Sequence, residues 1–350
     1  MLAEREITTE YGLPEGYVMR GATLDDLPEA VDMFNAVSQQ TLGLSEFSVE
    51  AYRPEWTVPI LNLPEYVKVV RTTAGQLVGC VEVWDLFDPH TRINSWIKVH
   101  PEHQKRGVES ALLCFAEDKA RQSAIPRAPA EARVSLIGWV NDREPVTNTA
   151  YAQAGFNLVR HSYHMHIELT AAPPPPVWPQ GITLRSFVPG QDEATVAWVD
   201  REAFRDHWGF VERPFEDDIN LVRHWMQGPD FDPAVWFMAL ARDEQGGERC
   251  VGISLNRTQA DGDPEMGWIG SLGVLREYRH RGLATALLRH SFGEFYRRGR
   301  QRVGLGVDAQ NLTGALRLYE HVGMHVARKY NTYEKELRPG VELSTQTITQ

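Results

Sequence analysis

The chain has 350 residues and a formal net charge of −11. Apolar residues make up 42% and charged residues 24%, so we expect one or two ordinary globular domains with proper cores. The acidic balance argues against a protein that coats nucleic acid, because such a protein needs a basic face. It suits a cationic acceptor such as an amine.

The cysteines and the absence of long apolar runs indicate a cytoplasmic protein. Cys80, Cys114 and Cys250 are scattered and odd in number, which disfavours a disulfide framework and favours a reducing compartment. The first ten residues contain no apolar core typical of a signal peptide. No run of about 18 apolar residues occurs, so we expect no membrane partner.

The first half of the chain alternates strands and helices. A helix is predicted to open near Thr23, a second to follow Gly107, and a third to end at Gly155. Strands are predicted at 17–20, 66–71, 76–86, 93–99 and 133–139, and a pair of strands ends at Leu169.

Four consecutive prolines interrupt this order. The run A-A-P-P-P-P-V-W-P at 171–179 is incompatible with a helix or an inner strand and predicts a stiff, extended linker. We therefore predict two domains, at 1–170 and 181–338, with a linker at 171–180 and a polar tail at 339–350.

The same order begins again after the linker. A strand is predicted at 181–187, a helix at 192–204, and strands at 234–241 and 250–256. Glycines in equivalent roles recur at a separation of roughly 170 residues, which indicates a duplicated domain. The equivalent glycines are Gly79 and Gly252, Gly107 and Gly282, and Gly155 and Gly323.

One stretch of the second copy predicts an anion site. Residues 266–274 are apolar on both alternate sets of positions, as in a strand that is covered on both faces. The turn Arg279-His280-Arg281-Gly282 follows, and an amphipathic helix starts directly after it. A helix N-terminus presents unpaired N–H groups and a partial positive charge, so this turn suits a phosphate or pyrophosphate.

This stretch resembles the pyrophosphate-binding motif of the GCN5-related N-acetyltransferases (GNAT), Arg/Gln-x-x-Gly-x-Gly/Ala, here Arg279, Gly282 and Ala284. A strand at 303–307, Asn311 opening a helix, and Tyr319 shortly before Gly323 follow in the family's order. From Tyr17 to Leu337 the chain looks like the tandem type that includes mycothiol synthase.

The resemblance implies a mixed α/β (α+β) fold of two tandem GNAT domains. Each should have a twisted, mixed and mainly antiparallel sheet flanked by helices. The strands before and after the glycine-turn helix should be parallel neighbours that splay to admit pantetheine.

The resemblance also implies an enzyme that uses acetyl-CoA and no metal. The acceptor would be a primary amine of a small molecule that attacks the thioester directly in a ternary complex, in the second copy. The implied coenzyme-binding residues are Leu272, Gly273, Val274, Arg279, His280, Arg281, Gly282, Leu283, Ala284, Thr285, Asn311, Ala315 and Tyr319.

The reaction needs an oxyanion donor, an acid and a base. The Leu272 N–H suits the thioester oxygen, and Tyr319 suits protonation of the leaving thiolate, although it could be mere core. Mycothiol synthase has a glutamate early in the strand before the turn, where this chain has Trp268. The base therefore stays open among Glu265, Asp308, His207 and a water chain. Candidate acceptor-binding residues are His207, Trp208 and Trp268.

The first copy departs from the motif. It keeps Gln104 and Gly107, but Glu109 stands where Gly or Ala belongs. A carboxylate beside a pyrophosphate costs about 1–4 kcal/mol in repulsion. We expect this copy, with a degenerate coenzyme site, no longer to catalyse and to serve as structure or as a wall of the acceptor cleft, although Tyr151 keeps the place of Tyr319. A first copy that still binds coenzyme is the alternative.

Other interpretations of the sequence stay open. A non-catalytic acyl-CoA sensor would have lost its acceptor chemistry, and a transferase for a larger acyl group would need a wider thioester pocket. The chain could be a monomer or a homodimer. Among His161, His164 and His166, only the last two share a strand face, which disfavours a metal site.

Overall fold

The computed structural model describes residues 11–242, 246–311 and 314–347. The chain forms two compact units. Unit 1 comprises Met1–His161 with Tyr330–Leu343, and unit 2 comprises Ser162–Lys329 with Ser344–Gln350. These limits differ from the predicted domains. Unit 1 includes the segment Tyr330–Leu343 from the end of the second half of the sequence, and unit 2 begins at Ser162, before the end of the first half.

Unit 1 contains a six-stranded, mainly antiparallel sheet in the order β1-β2-β3-β4-β5-β12. Only β4 and β5 are paired in parallel among its described strands. The strands are β1 (Tyr17–Gly21), β2 (Val67–Thr72), β3 (Leu77–Trp84), β4 (Arg92–Val99), β5 (Val134–Asn141) and the end of β12 (His325–Arg338). The helices are α1 (Leu27–Leu42), α2 (Val49–Trp56), α3 (Leu63–Tyr66), α4 (Val108–Ala124) and α5 (Pro145–Gln153).

Unit 2 repeats this topology, in the order β7-β8-β9-β10-β11-β6. Its parallel pair is β10 with β11. The strands are β7 (Ile182–Ser186), β8 (Phe231–Arg242), β9 (Glu248–Arg257), β10 (Met266–Val274), β11 (Arg302–Asp308) and the end of β6 (Asn157–Glu168). The helices are α6 (Glu193–Phe204), α7 (Phe215–Trp225), α8 (Leu283–Arg297) and α9 (Ala315–His321).

Helix α8 packs on the sheet of unit 2 and fixes the start of the glycine turn. Its buried residues include Leu283, Leu287, Phe292 and Phe295, which recur at helical spacing and belong to the two apolar clusters of the unit. Burial of one such side chain contributes about 1.5–3 kcal/mol. The helix N-terminus therefore stays close to the end of β10.

The repeated order and the parallel strand pair confirm the predicted tandem mixed fold. Two local predictions were wrong. The expected strand pair before Leu169 is the single strand β6, and the last helix begins at Ala315 with Gly314 as its N-cap rather than at Asn311. Leu312, which would follow Asn311 in the predicted helix, lies outside the described residues. Residues 171–179 contain neither helix nor strand, and no described helix has the length and apolar character needed to cross a membrane.

Candidate functional site

A cleft of about 380 Å³ opens in unit 2 where β10 and β11 separate. The parallel pairing runs from Met266 with Arg302 to Ile269 with Leu305 and stops there in this described region, although both strands continue. Past that point Leu272 and Val274 line the cleft. Backbone groups on the edge of β10 that no longer pairs with β11 are available to an extended ligand.

A β-bulge lies at the point of separation. The pairing of β10 with β9 shifts between Ile269 and Ser271, so Gly270 is the extra residue. A bulge bends its strand and redirects the side chains that follow it. Gly270, Ser271 and Leu272 all line the cleft.

The glycine turn closes one end of the cleft. His280 and Gly282 have φ angles of 59° and 81°, in the left-handed region that favours glycine. Helix α8 begins at Leu283 without a side-chain cap, and its first N–H groups lie outside the intrahelical ladder. His280, Gly282, Leu283, Ala284 and Thr285 line the cleft, so the helix start that the sequence predicts to bind an anion lies at this end.

Arg279 has a different environment from the one expected of a phosphate-binding side chain. Its Nη1 lies 2.7 Å from Asp206 Oδ2, and the guanidinium also donates to the carbonyls of Val274 and Ala203 at 3.2 and 3.0 Å. Asp206 pairs with Arg276 as well. Although burial opposes ionisation, its hydrogen bonds with Arg279 and Arg276 hold the pKa of Asp206 below its usual value. Arg279 therefore stabilises the turn, with its charge partly neutralised by Asp206.

Tyr319 lies on the opposite wall, on α9. It is 8% exposed and lines the cleft together with Gly306 of β11. A Cβ at Gly306 would meet no atom within 4 Å, so the space beside this glycine is open. Burial raises the pKa of Tyr319 to about 12, so its hydroxyl keeps its proton at neutral pH.

His207 also lines the cleft, with its ring centroid 4.5 Å from that of Phe204. Burial, and then the charge of Arg279, lower the pKa of His207. Its imidazole is therefore neutral at pH 7 and can accept a proton.

The cleft brings most of the predicted residues together. Asp308, Asn311 and Ala315 line it with the turn, and the carboxylate of Asp308 accepts a hydrogen bond from the Gln310 N–H at 2.9 Å. Gly273 lies between two lining residues of β10 and is itself buried. Arg281 does not line the cleft, and its guanidinium lies over the Tyr278 ring at 5.2 Å.

Three predicted residues do not line the cleft. Glu265 is exposed and precedes β10, at the end of the strand opposite the turn. Trp268 packs its ring 5.0 Å from that of His164, and Trp208 Nε1 donates to Gln346 Oε1 at 2.8 Å. The bulge at Gly270 explains why Trp268 does not line the cleft. Side chains alternate between the two faces of β10, and the extra residue changes which of them face the opening after it.

Two acidic residues near the cleft were missed by sequence reasoning. Asp206 holds the turn through Arg279, and Asp200 accepts a hydrogen bond from Ser271 Oγ at 2.5 Å. Asp200 lies on α6 and Asp206 lies just after it. Asp200 is 71 positions from Ser271, and Asp206 is 73 positions from Arg279. No spacing within a short stretch of sequence indicates such a pair. The one available signal is helical periodicity, which predicts that Asp200 lies on the same helix as the buried Val196 and Val199.

In unit 1 the corresponding turn is filled by the protein itself. Lys105 and Gly107 repeat the φ angles of His280 and Gly282, at 61° and 90°. Glu109 is buried, and its Oε1 accepts a hydrogen bond from the Lys105 backbone N–H at 3.2 Å. A carboxylate therefore occupies the position at the turn where an anionic ligand would accept such a bond.

The strand separation in unit 1 is filled as well. Tyr151 is fully buried, and a Cβ at Gly138 of β5 would lie 2.2 Å from its ring. Gly138 and Gly306 precede Tyr151 and Tyr319 by the same number of residues. The space that is open beside Gly306 is thus occupied by the ring of Tyr151 beside Gly138.

His166 groups with Glu168 and His325 rather than with the other histidines of β6. Its Nε2 lies 3.0 Å from Glu168 Oε1, and the ligand atoms of the three residues lie within 4.8 Å of one another. A second such group within the described residues is His100, Glu102 and His103. Both are outside the cleft, and His164 belongs to neither.

Comparison with known proteins identifies the family. The Acetyltransferase (GNAT) family matches residues 33–135 and 197–324, one segment in each sequence half. A mycothiol acetyltransferase of Thermobispora bispora is 32% identical over 240 residues, which are 68% of this chain and 74% of that protein. A mycothiol acetyltransferase of Stackebrandtia nassauensis is 31% identical over 274 residues, 77% and 82% of the two chains.

Solved structures agree with this family. A GCN5-related N-acetyltransferase from Sphaerobacter thermophilus superposes with a TM-score of 0.78 at 33% identity, over 95% of this chain and 100% of that one. A tandem GNAT protein from the clavulanic acid biosynthesis pathway, 16% identical, shares the fold with a TM-score of 0.68 over 92% and 99% of the two chains. The chain belongs to the acetyltransferase (GNAT) family.

Proposed function

We propose that this enzyme transfers the acetyl group of acetyl-CoA to a primary amine of a small molecule, and that it does so in the cleft of unit 2. The observation that carries the proposal is the continuity of the cleft. It joins the N-terminus of α8 at Gly282 to the part of β10 that no longer pairs with β11 and to Tyr319. An acyl-CoA needs these three features in this order: an anion site for the diphosphate, a slot for the extended pantetheine arm, and a proton donor at the thioester.

The residues of the turn fit the diphosphate of the donor. N–H groups at the start of α8 and the small side chain of Ala284 leave room for oxygen atoms. Asp206 compensates part of the charge of Arg279, so the backbone N–H groups and the helix dipole supply much of the attraction.

The two walls of the cleft support direct attack by the amine. The Leu272 N–H on β10 is the proposed donor to the thioester oxygen, where it would stabilise the charge that develops there. On the facing helix, Tyr319 is the proposed acid, since its raised pKa keeps the hydroxyl protonated until a thiolate forms beside it.

The acceptor side is the less defined part of the proposal. His207 and Phe204 line the cleft and suit recognition of an amine, while Trp208 and Trp268 do not line it. The names of the relatives make the acceptor of the mycothiol acetyltransferases the first compound to test. This chain lacks the glutamate expected at Trp268, so a different small-molecule amine is an equal candidate.

We propose that unit 1 binds no coenzyme, because Glu109 and Tyr151 occupy the two parts of its corresponding space.

A coenzyme-release assay tests the proposed acetyl transfer. Full-length protein with acetyl-CoA is offered the mycothiol acetyltransferase acceptor, glucosamine, spermidine and kanamycin. Formation of free CoA with one of them supports the proposal. If acetyl-CoA binds but no amine of the wider amine class stimulates CoA release, the proposed transfer is wrong.

A further inference from the structure

The general base for the acceptor is a gap in the proposed mechanism. Of the expected candidates, Glu265 lies at the wrong end of β10. The carboxylate of Asp308 accepts the Gln310 N–H, and the ring of His207 packs against that of Phe204. Ser271 lines the cleft one residue before Leu272, the proposed donor to the thioester oxygen.

Ser271 is bonded to a carboxylate beneath the wall of the cleft. Its Oγ donates to Asp200 Oδ1 at 2.5 Å, within the range of charge-assisted O–H···O⁻ bonds. Helix α6, which carries Asp200, packs directly on β10. The bulge at Gly270 places Ser271 between the opening and this helix.

We propose that Ser271 and Asp200 form the proton-accepting pair that deprotonates the acceptor amine. This inference rests on the proposed function and adds to it the identity of the base. Ser271 would contact the amine as a catalytic residue. Asp200 would act through Ser271, as a positioning residue and as the final acceptor of the proton.

The surroundings of Asp200 suit a base that works near neutral pH. Burial, the largest effect, raises the pKa of Asp200 to about 6, against the hydrogen bond from Ser271. Asp218 raises the pKa further and Arg213 lowers it. The charged groups around it come from α6, α7 and the segment before α7: Arg201, Asp218 and Arg213, with Asp218 paired to both arginines. On β9, Ile253 and Leu255 bring no charge.

The proton step balances as follows. A bound ammonium gives one N–H proton to Ser271 Oγ while the Ser271 hydroxyl proton moves to Asp200. The nitrogen keeps its electron pair and forms the bond to the acyl carbon. When the C–S bond breaks, the sulfur takes its electrons and receives a proton from Tyr319, which regains one from the same nitrogen. Asp200 then loses its proton to solvent, so one proton is released for each acetyl group transferred.

The pH profile of kcat/KM separates this pair from a structural role. With the most rapidly acetylated of glucosamine, spermidine and kanamycin, the wild-type profile should be level above about pH 6 and fall below it. Asp200→Asn and Ser271→Ala should lower kcat by about 10² at pH 7. Their rates should then rise about tenfold per pH unit, because only the neutral amine reacts. Ser271→Thr, which keeps a hydroxyl, should restore the level profile.

Controls distinguish failure of the pair from failure of the proposed function. Calorimetry should show the same affinity of each variant for acetyl-CoA, and circular dichroism the same fold. His207→Gln should keep the fall near pH 6. If the fall disappears in His207→Gln and persists in Asp200→Asn, the base is His207 and the pair is wrong.

A measurement without turnover covers the case in which no amine is acetylated. In protein loaded with acetyl-CoA and labelled with 13C-aspartate, the carboxyl signal missing from Asp200→Asn should titrate near pH 6. Spermidine should lower its midpoint, and Ser271→Ala should abolish that response. A midpoint that spermidine leaves unchanged in the wild type would overturn the inference, and absent acetyl-CoA binding would instead overturn the proposed function.

Discussion

The ring of Tyr151 lies against the backbone of Gly138 so closely that a Cβ atom at this glycine would stand 2.2 Å from the ring. In unit 2 the matching glycine, Gly306, has no atom within 4 Å of such a Cβ, and Tyr319 borders an open cleft. The two units therefore share one topology, but the space beside the glycine is filled by Tyr151 in unit 1 and is open beside Gly306 in unit 2. The difference is made by side-chain placement within a shared backbone arrangement.

Alanine at the two glycines should give opposite outcomes. Gly138→Ala forces a methyl group against the tightly packed ring of Tyr151 and should lower the free energy of unfolding by about 1–3 kcal/mol or more. Gly306→Ala places its methyl group in open space, so stability should change little while acetyl-CoA affinity falls. Urea unfolding and calorimetry measure the two effects. Equal destabilisation by both substitutions would contradict the difference in packing.

Ala284→Glu should reproduce the filled turn of unit 1 in unit 2. The new carboxylate would stand near the position of a diphosphate, and repulsion of about 1–4 kcal/mol would weaken acetyl-CoA binding by at least about fivefold. Glu109→Ala in unit 1 is the matched control and should leave the affinity of unit 2 unchanged. Unaltered binding by Ala284→Glu would show that the coenzyme does not use this turn.

Tyr319→Phe should lower kcat by about 10² and leave the dissociation constant of acetyl-CoA unchanged, because it removes a proton donor and little volume. Single-turnover kinetics with the best amine, combined with calorimetry, distinguish the two effects. Tyr151→Phe, the counterpart in unit 1, should retain full kcat. A wild-type kcat in Tyr319→Phe would exclude this residue as the acid.

Stability should depend on pH through Glu82 of unit 1. This buried carboxyl accepts hydrogen bonds from Tyr52 at 3.0 Å and Trp56 at 2.6 Å, yet burial, the largest effect, raises its pKa to about 7. The folded state therefore keeps the proton to higher pH than the unfolded state. Its contribution is complete below the ordinary pKa of 4.5 and is lost as pH rises through about 7.

Glu82→Gln tests that dependence. By linkage, the wild type should lose up to about 3 kcal/mol of unfolding free energy between pH 4.5 and 8 through this group, and the variant should lose less. Urea denaturation of both proteins at several pH values measures the difference. Parallel stability curves would show that Glu82 is not protonated in the folded state.

The sequence was sufficient for the elements whose signals are local. The apolar run of β10, the left-handed Gly282 and the start of α8 follow one another in the chain, so their spacing predicts the turn. The same holds for Glu109, whose position in the first copy signals the loss of the motif. Local chemistry determines these features.

Features that depend on distant partners escaped prediction. The hydrogen bonds of Asp206 with Arg279 and of Asp200 with Ser271 join residues 73 and 71 positions apart. Strand β12 pairs with β5 in unit 1, 189 to 204 positions away, and nothing in its own pattern specifies that partner. Trp268 was misplaced because a one-residue bulge reverses which side chains face the cleft.

The stoichiometry of acetyl-CoA binding to the full-length chain tests the central claim most directly. Calorimetry should show one site per chain in the wild type, the same single site in Glu109→Ala, and a site at least about fivefold weaker in Ala284→Glu. Two sites in the wild type, or a site of unaltered affinity in Ala284→Glu, would contradict the placement of the coenzyme in the cleft of unit 2.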